Sequence, residues 1–269
     1  MRADPTQVDF SQWLLKLGNG TLRSEHTTIP YAIDIPDRCT LSIDIVNDVF
    51  QDMNSNDIQD TVILTPKNDA ALTLNNLILE KIPAPPKIYH SSDSALCENP
   101  EEQTNYPMEF LNSLTPSGMP PHVLKVKVGA IIMLLRNLDI KGGLCNGTRL
   151  KVVALHPCTI HADILTCAHL NKRVFIPRIK LAPSDANLPF TLQRYQFPIR
   201  LAYAITINKA QGQTFQKIGL FLPQPVFSHG QLYVALSRAR SYHAIYVQVN
   251  PTDRQGPSFT QNIVYNEVL

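Results

Sequence analysis

The chain has 269 residues, of which 44% are hydrophobic and 17% charged, with a formal net charge of +2. That composition supplies enough apolar surface for one large domain or two ordinary ones and argues against a disordered chain. Five scattered cysteines exclude a disulfide framework. With a polar start over Met1 to Asp9 and no apolar run long enough to span a membrane, an intracellular protein is expected.

The small net charge conceals an asymmetry. Residues 1–120 hold 7 Lys+Arg against 17 Asp+Glu, a balance of −10; residues 121–220 hold 14 against 3, a balance of +11; the remainder hold 3 against 2. A basic block with few carboxylates is the footprint of a polyanion partner, because neutralised phosphates release condensed counterions. It equally suits a face turned toward the acidic block.

Along the chain, Phe10 to Gly20 (FSQWLLKLGNG) carries apolar residues at 10, 13, 14 and 17 and a glycine stop, which predicts a short amphipathic helix with Trp13 in the core. Ile43 to Met53 again has helical spacing, and Thr61 to Leu64 reads as a short strand. Thr65-Pro66-Lys67-Asn68 follows, with Asn68 placed to cap a helix whose buried face is Ala70, Ala71, Leu74, Leu77 and Ile78. A strand, a polar loop and a helix start together make a candidate anion contact.

From Pro83 to Pro121 prolines, serines and acids accumulate, and a domain boundary is expected there. Beyond it Gly129 to Leu135, Thr148 to Leu155, Asp163 to His169 and Arg173 to Ile179 are short β-rich runs separated by turn residues, the pattern of a small antiparallel barrel. Cys158, His161, Cys167 and His169 offer thiolate and imidazole, but C-x2-H-x5-C-x-H matches no established finger, so no metal is expected.

Leu201 to Ile207 is a nearly continuous apolar run, expected to be a central strand buried on both faces. It ends in Asn208-Lys209-Ala210-Gln211-Gly212-Gln213-Thr214, a polar loop suited to line a site at a strand's carboxyl end. Ile218 to Leu222 reads as a second strand. Ser228 with Gln231 three residues on has the spacing of a capping box, opening a helix with Leu232, Ala235, Leu236 and Ala239 on one face, Arg238 and Arg240 at its end and a further strand over Ala244 to Val249. This order of elements predicts part of a parallel α/β sheet.

ITINKAQGQTF and YVALSRAR resemble the last two motifs of the superfamily-one, PIF-type (petite integration frequency) DNA helicases, particularly those carried by Helitron transposons. VILTPKNDA is similar to the family's fourth motif, and YPMEFLNSLTPSGMPPH with LKVKVGAIIMLLRNLDIKGGLCNGTRLKV to its accessory segment, in the family's order, so the likeness extends over most of the chain. The resemblance implies a second RecA-like domain of the P-loop NTPase type, with a Src-homology-like antiparallel barrel, domain 2B, inserted in it. Residues 1–84 and 196–250 would then form the RecA-like domain, 85–121 a linker, 122–195 the barrel and 251–269 a tail. It further implies Arg238 as an arginine finger on the γ-phosphate, Gln211, Gly212 and Lys67 near nucleotide, and Thr65, Asn68, Thr206, Asn208, Lys209 and Thr214 on DNA phosphates.

ATP and Mg2+ are the implied cofactors, single-stranded DNA the implied partner, and the nucleus or mitochondrion the implied location. The implied activity is 5′ to 3′ unwinding in DNA repair, recombination, telomere maintenance or Helitron transposition. G-x-x-x-x-G-K-[ST] is not in the sequence, nor is an apolar strand ending in paired acids; GGLCNGTR lacks the lysine. The family places those motifs in its first RecA-like domain, so this chain reads as the carboxyl-terminal half, inactive alone and needing that missing domain. A non-catalytic nucleic-acid-binding module or transposon remnant is the alternative.

Overall fold

A computed structural model of the chain describes residues 4, 6–25, 28–51, 56–97, 105–165, 170–183 and 188–265. In chain order the elements are α1 (Val8–Gly18), β1 (Ala32–Asp34), β2 (Thr40–Leu41), α2 (Ile45–Val49), β3 (Thr61–Thr65) and α3 (Asn68–Lys81), then β4 (Lys87–His90), β5 (Ser92–Leu96), α4 (Met108–Ser113), β6 (Val123–Val126), β7 (Ile131–Leu134) and β8 (Arg149–Leu155). There follow β9 (Thr159–Ile164), β10 (Arg173–Pro177), β11 (Ile179–Leu181), β12 (Thr191–Gln196), β13 (Ile199–Leu201), β14 (Ala204–Thr206), β15 (Lys217–Leu222), α5 (Gln231–Leu236), β16 (Ile245–Val249) and β17 (Phe259–Gln261). The chain divides into two units, Met1–Lys81 with Tyr203–Leu269, and Ile82–Ala202. The class is α/β: a parallel-sheet domain interrupted by an antiparallel β insertion.

The first unit is built on a five-stranded parallel sheet in the order β14-β3-β15-β16-β2. All five residues of β3 are buried, as a strand covered on both faces requires. On one face Ile45 and Val49 of α2 lie against Gly219 of β15, where an added Cβ would come within 2.8 Å of Val49. On the other, Leu232 and Leu236 of α5 and Trp13 of α1 share an apolar lining with Leu220, Leu222 and Val247. Trp13 is half-buried there, 5.7 Å from the Tyr242 ring.

Several expectations are corrected in this unit. The run Leu201 to Ile207 is two strands: Leu201 pairs antiparallel with Ile132 in the second unit, whereas Ala204 pairs parallel with Ile63. Its second part is the edge of the described sheet, not the centre. The reason is Asn75, a buried residue of α3 whose Oδ1 accepts from the Tyr203 and Ala204 amides, both at 2.9 Å, and whose Nδ2 donates to the Ala204 carbonyl at 2.7 Å. One carboxamide therefore closes the edge where another strand would pair. Leu77, expected on the buried face of α3, is 54% exposed, and Asn75 and Leu79 are buried instead. Replacing Asn75 by leucine removes the partner of the Ala204 amide and carbonyl, and a loss of about 2–4 kcal/mol is expected from buried polar groups left unbonded. Urea denaturation followed by circular dichroism measures it; an unchanged midpoint would show that β14 does not depend on the carboxamide.

Ser228 does not cap the α5 helix. Gly230, in a left-handed conformation (φ +64°), holds that place, and the Gln231 carboxamide reaches back to accept from the Phe227 amide at 3.1 Å. The α2 helix is shorter than Ile43 to Met53, capped by the Asp44 carboxylate on the Asn47 amide. The segment 251–269, expected as a tail, supplies β17 to an antiparallel ribbon with β1.

The second unit holds a five-stranded antiparallel sheet, β10-β9-β8-β7-β13, a three-stranded one, β11-β12-β5, and a ribbon of β4 and β6. Residues 85–121 are no linker: they contribute β4, β5 and α4. They are fixed by a fully buried ion pair, in which Arg194 of β12 donates from Nε to Asp93 Oδ1 at 2.9 Å and from Nη2 to Asp93 Oδ2 at 2.6 Å. The same guanidinium donates to the Pro120 and Leu111 carbonyls at 3.0 and 3.2 Å. Ser91 Oγ donates to Asp93 and lies 2.8 Å from His122 Nδ1, and burial holds the His122 imidazole below its usual range. The predicted strand Asp163 to His169 is Thr159–Ile164; Cys167 and His169 lie outside the described residues, among which no three His, Cys, Asp or Glu side chains are grouped to hold a metal ion. Among the described residues, no helix is long and apolar enough to cross a membrane.

Candidate functional site

The carboxyl ends of β3 and β14 lie side by side, with Thr206 paired to Thr65. From that edge the chain makes a 3-10 turn, Ile207–Ala210, anchored by the buried side chains of Ile207 and Ala210. With those two residues held down, Asn208 is left exposed and Lys209 half-buried, followed by the exposed Gln211 and Gly212. Gly212 has φ +87° and open space where a Cβ would stand, so its requirement is conformational. The loop closes on itself: the Gln213 amide donates to the Ala210 carbonyl at 3.0 Å and Gln213 Nε2 to the Lys209 carbonyl at 3.2 Å.

The α5 helix holds this loop at both of its ends. At its start, Gln231, 2% exposed, donates to Asn208 Oδ1 at 3.4 Å. Just beyond its finish, Arg238 donates from Nη1 to the Gln213 carbonyl at 3.1 Å, and its own carbonyl accepts from the Phe215 amide at 3.1 Å. The half-buried guanidinium is oriented further by Nε to the Val234 carbonyl at 2.9 Å and Nη2 to Ser237 Oγ at 2.8 Å. The polar turn and the arginine thus converge on one place.

The other predicted residues divide. Lys67 and Asn68 are exposed at the start of α3, with Lys67 Nζ donating to Gln224 Oε1 at 2.6 Å. Asn68 is the first helical residue and not the cap, since the Lys67 carbonyl takes the first helical bond, from Ala71. Thr214 is half-buried beside the loop. Thr65 and Thr206 are 0% and 8% exposed, so they do not present hydroxyls at the surface, against the expectation of direct DNA contact. GGLCNGTR forms the turn between β7 and β8, with Thr148 Oγ1 donating to the Gly143 carbonyl at 2.9 Å. Sequence reasoning missed Gln231, whose spacing from Ser228 disguised a loop anchor as a cap, and Gln224, which carries no signal.

The arrangement presents a guanidinium, an exposed amide and a glycine of positive φ around one loop, suited to anionic oxygens delivered from outside the unit. Among known families, DNA helicase Pif1, 2B domain, matches residues 109–155. The ATP-dependent DNA helicase PIF1 of Danio rerio is 34% identical over 187 residues, and that of Homo sapiens 31% identical over 188. Each match covers 70% of this chain and 27% of the relative, so the chain spans about a quarter of the length of these relatives. A crystal structure of the Bacteroides Pif1 helicase in complex with ADP-AlF3 and ssDNA superposes with a TM-score of 0.60 at 22% identity, covering 94% of this chain and 52% of that one.

Proposed function

We propose that this chain, which belongs to the PIF1-type DNA helicase family, is the carboxyl-terminal portion of an ATP-dependent 5′ to 3′ DNA helicase, comprising a second motor domain and its inserted β unit. The observation that supports the reading is the 3.1 Å hydrogen bond from Arg238 to the Gln213 carbonyl of the polar loop. Arg238 would stabilise charge developing on the γ-phosphate, with Gln211, Gly212 and Lys67 near the nucleotide. Asn208, Asn68 and Thr214 would hold phosphates of single-stranded DNA without reading its bases, and Lys209, whose Nζ is buried in the unbound chain, would turn outward to join them. These residues fit only the facing half of an ATP site. The phosphate cradle and the carboxylate for Mg2+ would come from a first RecA-like domain, and ATP supplies the free energy for translocation when bound there.

The purified chain should bind a fluorescent oligo-dT in a salt-dependent manner and hydrolyse no ATP. With one phosphate neutralised, by Lys209, affinity falls roughly 3-fold between about 50 and 200 mM salt. Asn208→Asp keeps the acceptor for Gln231 and adds a negative charge to the loop, so it should weaken binding several-fold. ATP turnover by this chain alone, or oligonucleotide affinity indifferent to both salt and Asn208→Asp, contradicts the reading.

A further inference from the structure

Three aromatic rings form a chain of contacts on the surface of the second unit, through His161 of the C-x2-H-x5-C-x-H run. Strands β9 and β10 pair with Phe175 opposite His161, and their inward residues, Ile160, Ala162, Ile164, Val174 and Ile176, are buried. The outward residues alternate with them, yet Phe175 stands 61% exposed where a polar residue is the ordinary choice. Its ring meets His161 edge to face with centroids 4.5 Å apart, and His161 meets His156, itself exposed, at 4.4 Å.

One register step along the same face, Arg173 pairs with Asp163 and Asp163 with Lys151. Arg173 donates to both Asp163 oxygens, at 2.9 and 3.1 Å, which neutralises the acid and leaves exposed Lys151 to give the row its positive sign. Rings beside ammonium groups match the alternation of bases and phosphates along a single strand.

We infer that the outer face of β8, β9 and β10 is a base-stacking platform for single-stranded nucleic acid. Bases lie against His156, His161 and Phe175, and the backbone follows Lys151 and Arg173. The cationic surroundings select a polyanion over an apolar protein surface. Stacking is tolerant of sequence because every base has a π-face, so the platform holds a strand without reading it. The face lies in a different unit from the polar loop and does not depend on the motor reading.

The test uses the full chain and two fluorescent probes of equal length, an oligo-dT and an abasic oligonucleotide with the same backbone. The wild type should bind oligo-dT more tightly. Phe175→Ala should lower the oligo-dT affinity roughly 5- to 20-fold, as loss of one stacked base predicts, and leave the abasic affinity unchanged, while Phe175→Trp retains tight binding. Because Phe175 is exposed, the alanine variant should keep the wild-type thermal midpoint. Equal affinity of the wild type for the two probes, wild-type oligo-dT affinity in Phe175→Ala, or no oligo-dT binding by the wild type overturns the platform. Loss in Phe175→Ala with no loss in Asn208→Asp leaves the platform standing and removes the loop; the reverse pattern does the opposite.

Discussion

Asp93→Ala is expected to unfold the second unit under conditions in which the wild type is fully folded. Both side chains of the pair are 0% exposed, so the substitution leaves the Arg194 guanidinium in the interior without its counterion. Removing one member of a buried pair costs about 3–5 kcal/mol, because the surviving charge has neither water nor partner. Whole domains are stable by only about 5–15 kcal/mol. The Pro120 and Leu111 carbonyls remain as acceptors, but two neutral oxygens do not replace a bidentate carboxylate. In urea the midpoint of the second unit should fall by about 2 M, given a slope of about 2 kcal/mol per M. Hydrogen exchange should show β5 losing protection first, since Asp93 lies on it. Removing both charges together, as Asp93→Leu with Arg194→Met, should restore most of the loss, because a neutral pair of similar volume has no desolvation to offset. A wild-type midpoint for Asp93→Ala would show that the guanidinium finds another anion, and the pair would lose its place as the clasp of residues 85–121.

That clasp also explains why the sequence misleads over those residues. Proline, serine and acid content marks 85–121 as irregular, but in β5 the alternation that matters buries Asp93 and Ala95, and a buried aspartate carries no hydrophobic signal. Its partner lies 101 positions away. The parallel-sheet strands are legible because each is an apolar run of the right length, as in β3 and β15. Leu201 to Ile207 is equally apolar and deceives for that reason: burial is common to both of its halves, while the change of sheet at Tyr203 is fixed by an asparagine on a helix 128 residues earlier. At the site, the polar composition of the 208–214 loop is visible in the sequence, and the exposure of Gln211 and Gly212 follows from a turn pinned by Ile207 and Ala210. The burial of Thr65 and Thr206 is not visible, since a threonine at a strand end reads alike whether its hydroxyl faces solvent or the interior. The ring cluster escapes as well, because strand alternation places Phe175 and His161 on faces but not opposite each other.

Combined with a motor domain that carries the phosphate cradle, Arg238→Ala should lower ATP turnover by about 10³- to 10⁵-fold, the range attributed to an arginine that neutralises charge on a transferring phosphoryl group. Affinity for single-stranded DNA should change little, because the loop keeps its own closing bonds from Gln213 to Ala210 and Lys209 and its anchor from Gln231 to Asn208. The competing role for Arg238 is that of a staple: its bonds to the Gln213, Val234 and Ser237 oxygens are what a residue holding a loop against a helix would make. The two roles separate on a pair of readouts. A staple lost to alanine loosens the loop, so DNA affinity and turnover fall together, and Arg238→Lys, which restores an ammonium donor near the Gln213 carbonyl, recovers both. A phosphate-facing guanidinium lost to alanine lowers turnover alone, and lysine recovers little, because an ammonium on a flexible stem does not reproduce the planar fork. Turnover that survives in Arg238→Ala assigns the residue to the loop's architecture and leaves the phosphate contact to another group.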